Sequence, residues 1–270
     1  MLFVPAISLD KLAKVARVRP DAVIVDLEDA VAPDAKPAAR GAALEALAAA
    51  RPGAGRVLVR INGVGTPWYD EDVAAVSTAI AAGMLDGVVL PKYERVAELA
   101  GLRAALPAGA LVIVGLESAR GVADARELLA GGPGARAEVA YFGAEDYIAD
   151  LGGRRTPGGH EVLYARSQVC LAARLAGVAT LDQVVAAVRD AEAFRADAEQ
   201  GRALGFRGKI CLHPTQVTIA HEVFTPSEAE IEHARAVLAA ASSGVGLVDG
   251  QMVDAVHITM AHAVLTRAAH

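Results

Sequence analysis

The sequence has 270 residues, of which 54% are hydrophobic and 21% are charged. This balance is typical of one or two compact domains and excludes an intrinsically disordered chain. The formal net charge of −6 repels polyanions, so a nucleic-acid-binding function is not expected.

The cysteine content and the lengths of the apolar runs predict the cellular location of the protein. Cys170 and Cys211 are far apart and have no metal-binding spacing, which excludes a disulfide framework and fits a reducing cytoplasm. No apolar run reaches the roughly 20 residues of a membrane span, and the apolar start at residues 2–4 lacks a basic segment before it. We therefore expect no export signal, no membrane partner and a cytoplasmic location.

Short β-branched runs alternate with alanine-rich stretches that are long enough to form helices. The runs are continuously apolar, as in strands of a parallel sheet that helices cover on both faces. Eight such units predict a closed TIM (β/α)₈ barrel over residues 1–224. The predicted strands lie at residues 2–6, 22–26, 56–62, 87–92, 111–117, 139–146, 177–181 and 209–213.

Residues 225–270 follow the eighth predicted strand and form a predicted helical lid. The sequence at 225–228 resembles a helix cap and predicts a helix to about residue 241, which the serine and glycine residues of 242–246 then end. A last helix is expected over about 251–268. It would place one apolar face against another surface, and that face comprises Val253, Val256, Met260 and Val264.

Acidic residues gather where the predicted strands end, which is where a barrel of this kind carries its chemistry. Glu117 and Asp146 end neighbouring predicted strands, so their carboxylates could converge on one Mg²⁺ ion, which takes one or two protein carboxylates and keeps waters. Gly143 and Ala144 before Asp146 would let the backbone approach a ligand closely. The alternative is that each acid only caps the helix that follows it.

Arg60 lies inside an apolar run, and a buried guanidinium requires an acidic partner. Glu28 could supply that partner as a structural salt bridge. Alternatively, the two-pronged guanidinium could clamp the carboxylate of a substrate. We favour both roles together, and a purely structural pair remains the alternative.

At these residues the sequence resembles the citrate lyase β-subunit-like branch of the HpcH/HpaI aldolase superfamily, and the match covers nearly the whole chain. Each motif alone is weak, but eight of them occur in order. The motifs are residues 2–6, 26–31 with Lys36 and Arg40, 59–62, 90–92, 116–121, 143–146, 205–209, and 213–214 with Gln216.

The resemblance implies a TIM-type barrel, usually trimeric, that makes or breaks a carbon–carbon bond between an acyl thioester and a 2-keto acid. It implies that Glu117 and Asp146 hold magnesium and that Arg60 binds the keto-acid carboxylate. From the resemblance we also expect residues 143–146, which include Glu145, to bind the substrate. Glu28 is a candidate catalytic residue together with Arg60.

Residues 250–254 resemble the C-terminal element of stand-alone malyl-CoA and citramalyl-CoA lyases, in which an aspartate reaches the adjacent subunit. The matching residue is Asp254, although the proline that often follows is replaced at residues 255–256. The citrate lyase subunit that acts on an acyl carrier protein typically lacks this element. The sequence therefore favours an enzyme that uses free coenzyme A over a citrate lyase component that forms oxaloacetate.

This resemblance predicts a Mg²⁺-dependent lyase that joins or releases an acyl-CoA and a 2-keto acid such as glyoxylate or pyruvate. Asp254 would be the general acid or base. Closure of the lid would exclude water from this carboxylate and adjust its pKa. Lys11 and Lys14 could meet the phosphates of coenzyme A, unless they are merely solvated helix lysines, and His213 with Pro214 could shape the cofactor groove.

Two rival interpretations remain open at this stage. The first is a class II 2-keto acid aldolase without coenzyme A, which commonly uses a histidine close to the metal, whereas no histidine precedes His160 here. The second is a catalytically idle barrel used for assembly or regulation, because a fold does not prove a function.

Overall fold

The computed structural model describes residues 1–241 and 246–268. Contacts divide the chain into two compact units, Met1–Ala220 and His221–His270. Eight strands belong to the first unit: β1 Leu2–Pro5, β2 Ala22–Asp26, β3 Arg56–Arg60, β4 Gly87–Leu90, β5 Leu111–Leu116, β6 Val139–Phe142, β7 Ala179–Asp182 and β8 Gly208–Lys209.

Helices follow the strands of the first unit almost without exception. They are α1 Leu12–Val15, α2 Lys36–Ala49, α3 Tyr69–Ala81, α4 Val96–Ala105, α5 Ala119–Ala123, α6 Ala125–Ala130, α7 Ala144–Asp150, α8 His160–Ala176, α9 Ala191–Leu204 and α10 Pro214–Phe224, the last of which continues into the second unit. No helix in the described part of the chain is both long enough and apolar enough to cross a membrane.

The eight strands form one parallel sheet in chain order, β1 to β8. A parallel bridge between Leu2 and Cys211 joins the last strand region to the first, and Phe3 N donates to Cys211 O at 2.9 Å. The sheet therefore closes on itself, and the TIM-barrel prediction is confirmed.

Several strands end earlier than predicted. β5 ends at Leu116 rather than Glu117, and β6 ends at Phe142. Asp146, predicted as the end of a strand, lies instead in the first turn of α7. The predictions ran too far because the polar residues after each strand were counted as part of it.

The inside of the barrel is an apolar layer beneath a polar mouth. The apolar layer contains Met1, Ile24, Leu58, Val89, Ile113, Tyr141 and Ile210. Successive side chains of a strand point to opposite faces, so Asp26 and Arg60 share the inward faces of Ile24 and Leu58 two residues before them. This alternation carries a carboxylate and a guanidinium to the top of the apolar layer.

A buried ionic network holds β7 and β8 to the surrounding helices. Arg166 on α8 has no solvent exposure and donates from Nη2 to Asp182 Oδ2 at 2.7 Å. Lys209 on the short strand β8 donates to the same oxygen at 2.8 Å and also pairs with Asp197. Since β8 has only two residues, this network supplies contacts that its short backbone ladder lacks.

Among its described residues, the second unit contains the end of α10, two further helices and a hairpin. α11 spans Glu228–Ala241, β9 Gly246–Val248, β10 Gln251–Val253 and α12 Ala255–Ala268, and the two strands pair antiparallel. Its core comprises Ala234, Val237, Val248, Val253 and Ala261. The unit begins at His221 rather than at the predicted residue 225.

Two local predictions for this unit were wrong. The predicted cap began at residue 225 and ended at the acid of residue 228, whereas in the structure Ser227 caps the helix: the backbone N of Glu230 donates to Ser227 Oγ at 3.3 Å. The hairpin was missed, although Asp249 and Gly250 both have positive φ, as the two central residues of a type I′ turn require.

The predicted apolar face of the last helix is divided in the structure. Val253 lies in β10 and is buried in the core of the second unit, and Val264 packs against the same core. Val256 and Met260 are 63% and 62% exposed. The serine and glycine residues at 242–246 were predicted to end the preceding helix. Most of them, residues 242–245, lie outside the described residues.

Candidate active site

Arg60 and Asp26 form a buried ion pair at the mouth of the barrel. The two residues are in register on β3 and β2, and the pairing of these strands sets their separation. Arg60 Nε and Nη2 each lie 2.7 Å from a different oxygen of Asp26. The two-pronged edge of the guanidinium therefore faces Asp26, a partner that the sequence did not predict.

The remaining edge of Arg60 faces two further carboxylates. Nη1 lies 2.7 Å from Glu28 Oε2, so the predicted salt bridge is present, and 3.3 Å from Asp29 Oδ2. Burial lowers the pKa of Arg60, but its hydrogen bonds to Asp26 outweigh this effect and raise the pKa well above its usual value. Arg60 is therefore a permanent cation beneath the acidic mouth.

Glu117 is a buried carboxylate with one saturated and one open oxygen. Its Oε1 accepts from the backbone N of Lys92 at 2.7 Å and from Tyr141 Oη at 3.0 Å. Within the described residues, no donor reaches its Oε2. Burial raises the pKa of Glu117, Arg60 lowers it, and the negative charge of Asp146 raises it further.

Two glycines allow Glu117 to occupy this position. A Cβ on Gly115 would lie 2.4 Å from Tyr141 Oη, and one on Gly143 would lie 2.3 Å from Glu117 Oε2. Real Cβ atoms do not approach so closely, so any side chain at either residue would displace the carboxylate or the phenol. The open Oε2 therefore faces the start of α7, three residues before Asp146.

The residues that begin α7 point in different directions. Asp146 is 33% exposed in its side chain and lies 3.2 Å from Lys92 Nζ. Glu145 pairs instead with Arg155 at 3.2 Å, and Ala144 is fully buried. We call the side chains of Asp26, Glu28, Asp29, Arg60, Lys92, Glu117 and Asp146 the Glu117 group. Of the predicted stretch 143–146, Gly143 and Asp146 therefore lie at this group, whereas the side chain of Glu145 has another partner.

Lys92 connects the carboxylates at the mouth. Its Nζ lies 2.6 Å from Glu28 Oε1, 3.2 Å from Asp146 Oδ1 and 3.5 Å from Asp29 Oδ1. Burial lowers the pKa of Lys92, but Glu28 and the other acids raise it more strongly. No role was predicted for Lys92 beyond its place in the motif at residues 90–92; its position after Pro91, at the end of an apolar strand, was the available signal.

Glu28 lies between both cations. Burial raises its pKa to about 8, even though Arg60 opposes the shift and the charge of Glu117 adds to it. A cavity of about 350 Å³ opens beside this carboxylate. Its lining comprises Glu28, Lys36, Asn62, Gly63, Val64, Thr66, Trp68, Lys92, Glu94, Arg95 and Glu98.

The predicted coenzyme A residues lie on the surface near strand ends. Lys11 and Lys14 are exposed in the segment after β1, and Lys14 lies 3.9 Å from Asp10. His213 is exposed after β8, where its Nδ1 lies 2.8 Å from Thr215 Oγ1, and Pro214 begins α10. The structure does not bring these residues into contact with the Glu117 group.

Asp254 belongs to the second unit, where it precedes α12. Its Oδ1 accepts from Val256 N at 3.0 Å and lies 2.8 Å from His257 Nδ1. The hydrogen bond with His257 is the main cause of a lowered pKa at Asp254. As an exposed residue of this unit, Asp254 is therefore a weaker base than an ordinary aspartate.

The Glu117 group has the composition of a site for a hard cation. Five carboxyl groups, of Asp26, Glu28, Asp29, Glu117 and Asp146, surround the two cationic groups of Arg60 and Lys92. Within residues 1–241 and 246–268, no cluster of three or more His, Cys, Asp or Glu side chains is arranged as a complete metal site. The carboxylates of Glu117 and Asp146 are thus a pair, the number that Mg²⁺ commonly takes from a protein.

Comparisons with known proteins agree with these features. The profile of the HpcH/HpaI aldolase/citrate lyase family matches residues 1–214, and that of a C-C bond lyase of the TIM-barrel fold matches residues 167–270. A citrate lyase subunit beta-like protein of Deinococcus radiodurans is 48% identical, over 100% of this chain and 96% of its own length. A (3S)-malyl-CoA thioesterase of Cereibacter sphaeroides is 37% identical, over 99% of this chain and 93% of its own length.

A solved structure is similar over the same extent. Protein CitE of Mycobacterium tuberculosis, crystallised with magnesium, acetoacetate and coenzyme A, has a TM-score of 0.83 and 36% identity, and covers 100% of this chain and 97% of its own. Together these matches confirm the family resemblance and the enzyme class, a carbon–carbon lyase, that the motifs predicted.

The geometry around Arg60 predicts how the two aspartates beside it contribute to stability. Asp26→Ala leaves the buried guanidinium without its two-pronged partner and should lower the free energy of unfolding by about 3–5 kcal/mol. Asp29→Ala is the matched control, because that side chain is half exposed, and should cost less than about 1 kcal/mol. Urea unfolding followed by circular dichroism measures both. Equal losses for the two variants would contradict the structural role of Asp26.

Proposed function

The chain belongs to the HpcH/HpaI aldolase/citrate lyase family, and we propose that it is a Mg²⁺-dependent lyase of 3-hydroxyacyl-CoA thioesters of the malyl-CoA or citramalyl-CoA type. It would release, or join, an acyl-CoA and a 2-keto acid such as glyoxylate or pyruvate. The observation that carries this proposal is that Lys92 joins two carboxylates at the mouth: its backbone N lies 2.7 Å from Oε1 of the buried Glu117, and its Nζ lies 3.2 Å from Asp146 Oδ1.

Glu117 and Asp146 would hold the magnesium ion. Both offer carboxylate oxygens, the donors that Mg²⁺ prefers, and Gly143 has no Cβ that would push Oε2 of Glu117 out of place. When bound, the ion would stabilise negative charge on a substrate carboxylate and on the adjacent hydroxyl or keto oxygen. Magnesium in the similar Mycobacterium tuberculosis structure supports this assignment.

Arg60 would attract the carboxylate of the keto acid from beneath the site. Because Asp26 occupies the Nε and Nη2 edge, the substrate would approach the Nη1 edge, where Asp29 is half exposed and only 3.3 Å away. Asp26 then fixes the orientation of the guanidinium, and Glu28 shares the Nη1 edge with the substrate. Beside them, the start of α7 would line the substrate, with Glu145 contributing only its main chain.

Acid–base chemistry at the thioester α-carbon is proposed for Asp254. In condensation it would remove the α-proton, and in cleavage it would return a proton to the same carbon. Its lowered pKa in the exposed state means that it needs a drier setting to act as a base. We propose that the second unit provides this setting as a lid over the site of an adjacent subunit in a homotrimer.

Coenzyme A would bind along the surface that carries Lys11, Lys14, His213 and Pro214. The two lysines are exposed and could pair with phosphates, and His213 lies at the start of α10 with its ring held by Thr215. Coenzyme A in the similar solved structure and the malyl-CoA thioesterase relative support a free-CoA substrate. These side chains would bind the cofactor and take no part in the bond cleavage.

A direct assay separates this proposal from its alternatives. The purified protein is incubated with Mg²⁺ and malyl-CoA, citramalyl-CoA or citryl-CoA, and keto acid and free thiol are measured separately. Keto acid formation without free thiol supports the lyase, whereas free thiol alone would indicate hydrolysis. Oxaloacetate from citryl-CoA only would favour the citrate lyase alternative, and turnover of keto-acid aldols without coenzyme A would favour a class II aldolase. No turnover of any substrate would favour the idle barrel.

The metal assignment predicts the effect of two isosteric changes. Glu117→Gln and Asp146→Asn should each reduce lyase activity by at least about a hundredfold, because roughly 3 kcal/mol of charge stabilisation is lost. Thermal stability should change little, since burial already disfavours the charged form of Glu117. Activity is measured over a Mg²⁺ titration. Near-normal activity of either variant at low Mg²⁺ would refute the assignment.

Gly143 provides a second test of the same site without removing a carboxylate. Gly143→Ala should weaken Mg²⁺ binding by about 10- to 100-fold, because the new Cβ displaces the Oε2 of Glu117. The backbone at this residue, with φ −99° and ψ 91°, accepts alanine without strain. Gly132→Ala is the control, since no atom lies within 4 Å of its added Cβ. Calorimetric titration with MgCl₂ measures both affinities, and equal affinities would contradict the role of Gly143.

The lid proposal predicts complementation between inactive subunits. Asp254→Ala and Glu117→Gln subunits should each be inactive, and after subunit exchange a mixed oligomer should recover part of the wild-type activity. Recovery is expected because some sites then combine an intact Glu117 with an intact Asp254 from the neighbour. Native mass spectrometry verifies the exchange. Activity that stays at the parental background in exchanged oligomers would mean that Asp254 does not act in the adjacent subunit.

A further inference from the structure

Lys92 contacts both of the residues proposed to hold the metal, by different atoms. Its backbone N donates to Glu117 Oε1 at 2.7 Å, and its Nζ lies 3.2 Å from Asp146 Oδ1. The same ammonium lies 2.6 Å from Glu28 Oε1 and 3.5 Å from Asp29 Oδ1. One residue therefore fixes Glu117 through the main chain and neutralises Asp146 through the side chain.

The backbone of Lys92 is held in an unfavourable conformation. Its φ of 49° lies in the left-handed region, which a residue with a side chain seldom adopts. Such strain persists only where the surrounding contacts maintain it. The hydrogen bond to Glu117 and the three carboxylate contacts of the ammonium are the contacts that do so here.

The ammonium is accessible enough to move. The Lys92 side chain is 41% exposed, whereas Glu28 is 8% exposed and cannot follow it far. Asp146 is itself 33% exposed and lies at the outer side of the group. The Asp146 contact can therefore break while the ammonium stays beside Glu28 and Asp29.

From these contacts we infer that the Lys92 ammonium is the counter-cation of the metal-free site, and that a divalent cation must displace it from Asp146 in order to bind. This inference rests on the proposed role of Glu117 and Asp146 as metal ligands. It assigns to Lys92 a positioning function that sets the metal affinity: the residue keeps the carboxylates together before the metal arrives and competes with the metal for one of them.

The displacement follows from charge. Two positive groups cannot share the Asp146 carboxylate without mutual repulsion, which is strong where water is partly excluded. A divalent ion attracts the Glu117 and Asp146 carboxylates more strongly than one ammonium does. On this basis, the ammonium retreats to Glu28 and Asp29, and the free energy of its lost contact with Asp146 is subtracted from that of metal binding.

Three variants test the inference in the metal-free protein prepared with EDTA. Lys92→Met removes the charge but keeps an unbranched side chain and the backbone donor to Glu117. Lys92→Arg keeps the charge. Arg56→Gln is the matched control, because it removes one positive charge at the opposite end of β3, where Arg56 is 64% exposed. Calorimetric titration with MgCl₂, repeated in Glu117→Gln as a blank for this site, gives the affinities.

We expect Lys92→Met to bind Mg²⁺ about tenfold more tightly or better, the scale on which one adjacent charge shifts an ionic equilibrium. Lys92→Arg should stay near the wild-type affinity, and so should Arg56→Gln. Without metal, Lys92→Met should melt at a lower temperature than wild type, and Mg²⁺ should raise its melting temperature by more than it raises that of wild type.

An unchanged or weaker Mg²⁺ affinity of Lys92→Met would overturn the inference, and so would Lys92→Arg binding as tightly as Lys92→Met, since charge would then not matter. A wild-type protein that shows no binding at Glu117 would overturn the proposed metal site as well. Because every readout is binding or melting, a protein that binds Mg²⁺ in the expected order but cleaves no thioester would refute only the proposed reaction.

Discussion

Arg60 is the interaction on which the polar mouth of the barrel depends. Carboxylates at the top of an apolar layer lose most of their hydration, and without a cation they would protonate or move apart. The positive charge of Arg60 acts on Glu28 and Glu117 at once and opposes the shift that burial causes in both. Asp26 fixes the guanidinium from the adjacent strand, so the register of β2 and β3 positions the whole group.

The second constraint is the absence of side chains at two glycines beside Glu117. Glu117 can lie between β5 and β6 only because Gly115 and Gly143 have no Cβ at its contact surface. Tyr141 fills the remaining space from the inward face of β6 and donates to the same oxygen as Lys92 N. The result is a carboxylate with one oxygen fixed by two donors and the other without a donor among the described residues, which is the arrangement that the proposed cation site needs.

The sequence predicted the barrel, the Glu117 and Asp146 pair and the contact of Arg60 with Glu28, because apolar runs and isolated polar residues within them are local signals. It did not predict Asp26 as the two-pronged partner, since that contact depends on strand register and Asp26 reads as part of an apolar run. Lys92 was missed for a similar reason: its partners come from the segments after β2 and β6, which only the closed sheet brings together. The hairpin before α12 was not predicted because residues 251–268 were assigned to one helix, although Asp249 and Gly250 are typical turn residues.

These constraints imply a compromise between folding and metal binding. In the proposed function, Glu117 and Asp146 hold a divalent ion, but the chain must also fold before that ion arrives, and the five carboxyl groups of the mouth then need cations from the protein itself. Arg60 is buried and two-pronged, so it stabilises the fold permanently. Lys92 is partly exposed, and its ammonium contacts Glu28 at 2.6 Å but Asp146 only at 3.2 Å, so it can give up the longer contact and keep the shorter one. Arg60, next to the apolar layer, thus supplies a structural positive charge, whereas Lys92, nearer the solvent, supplies an exchangeable one.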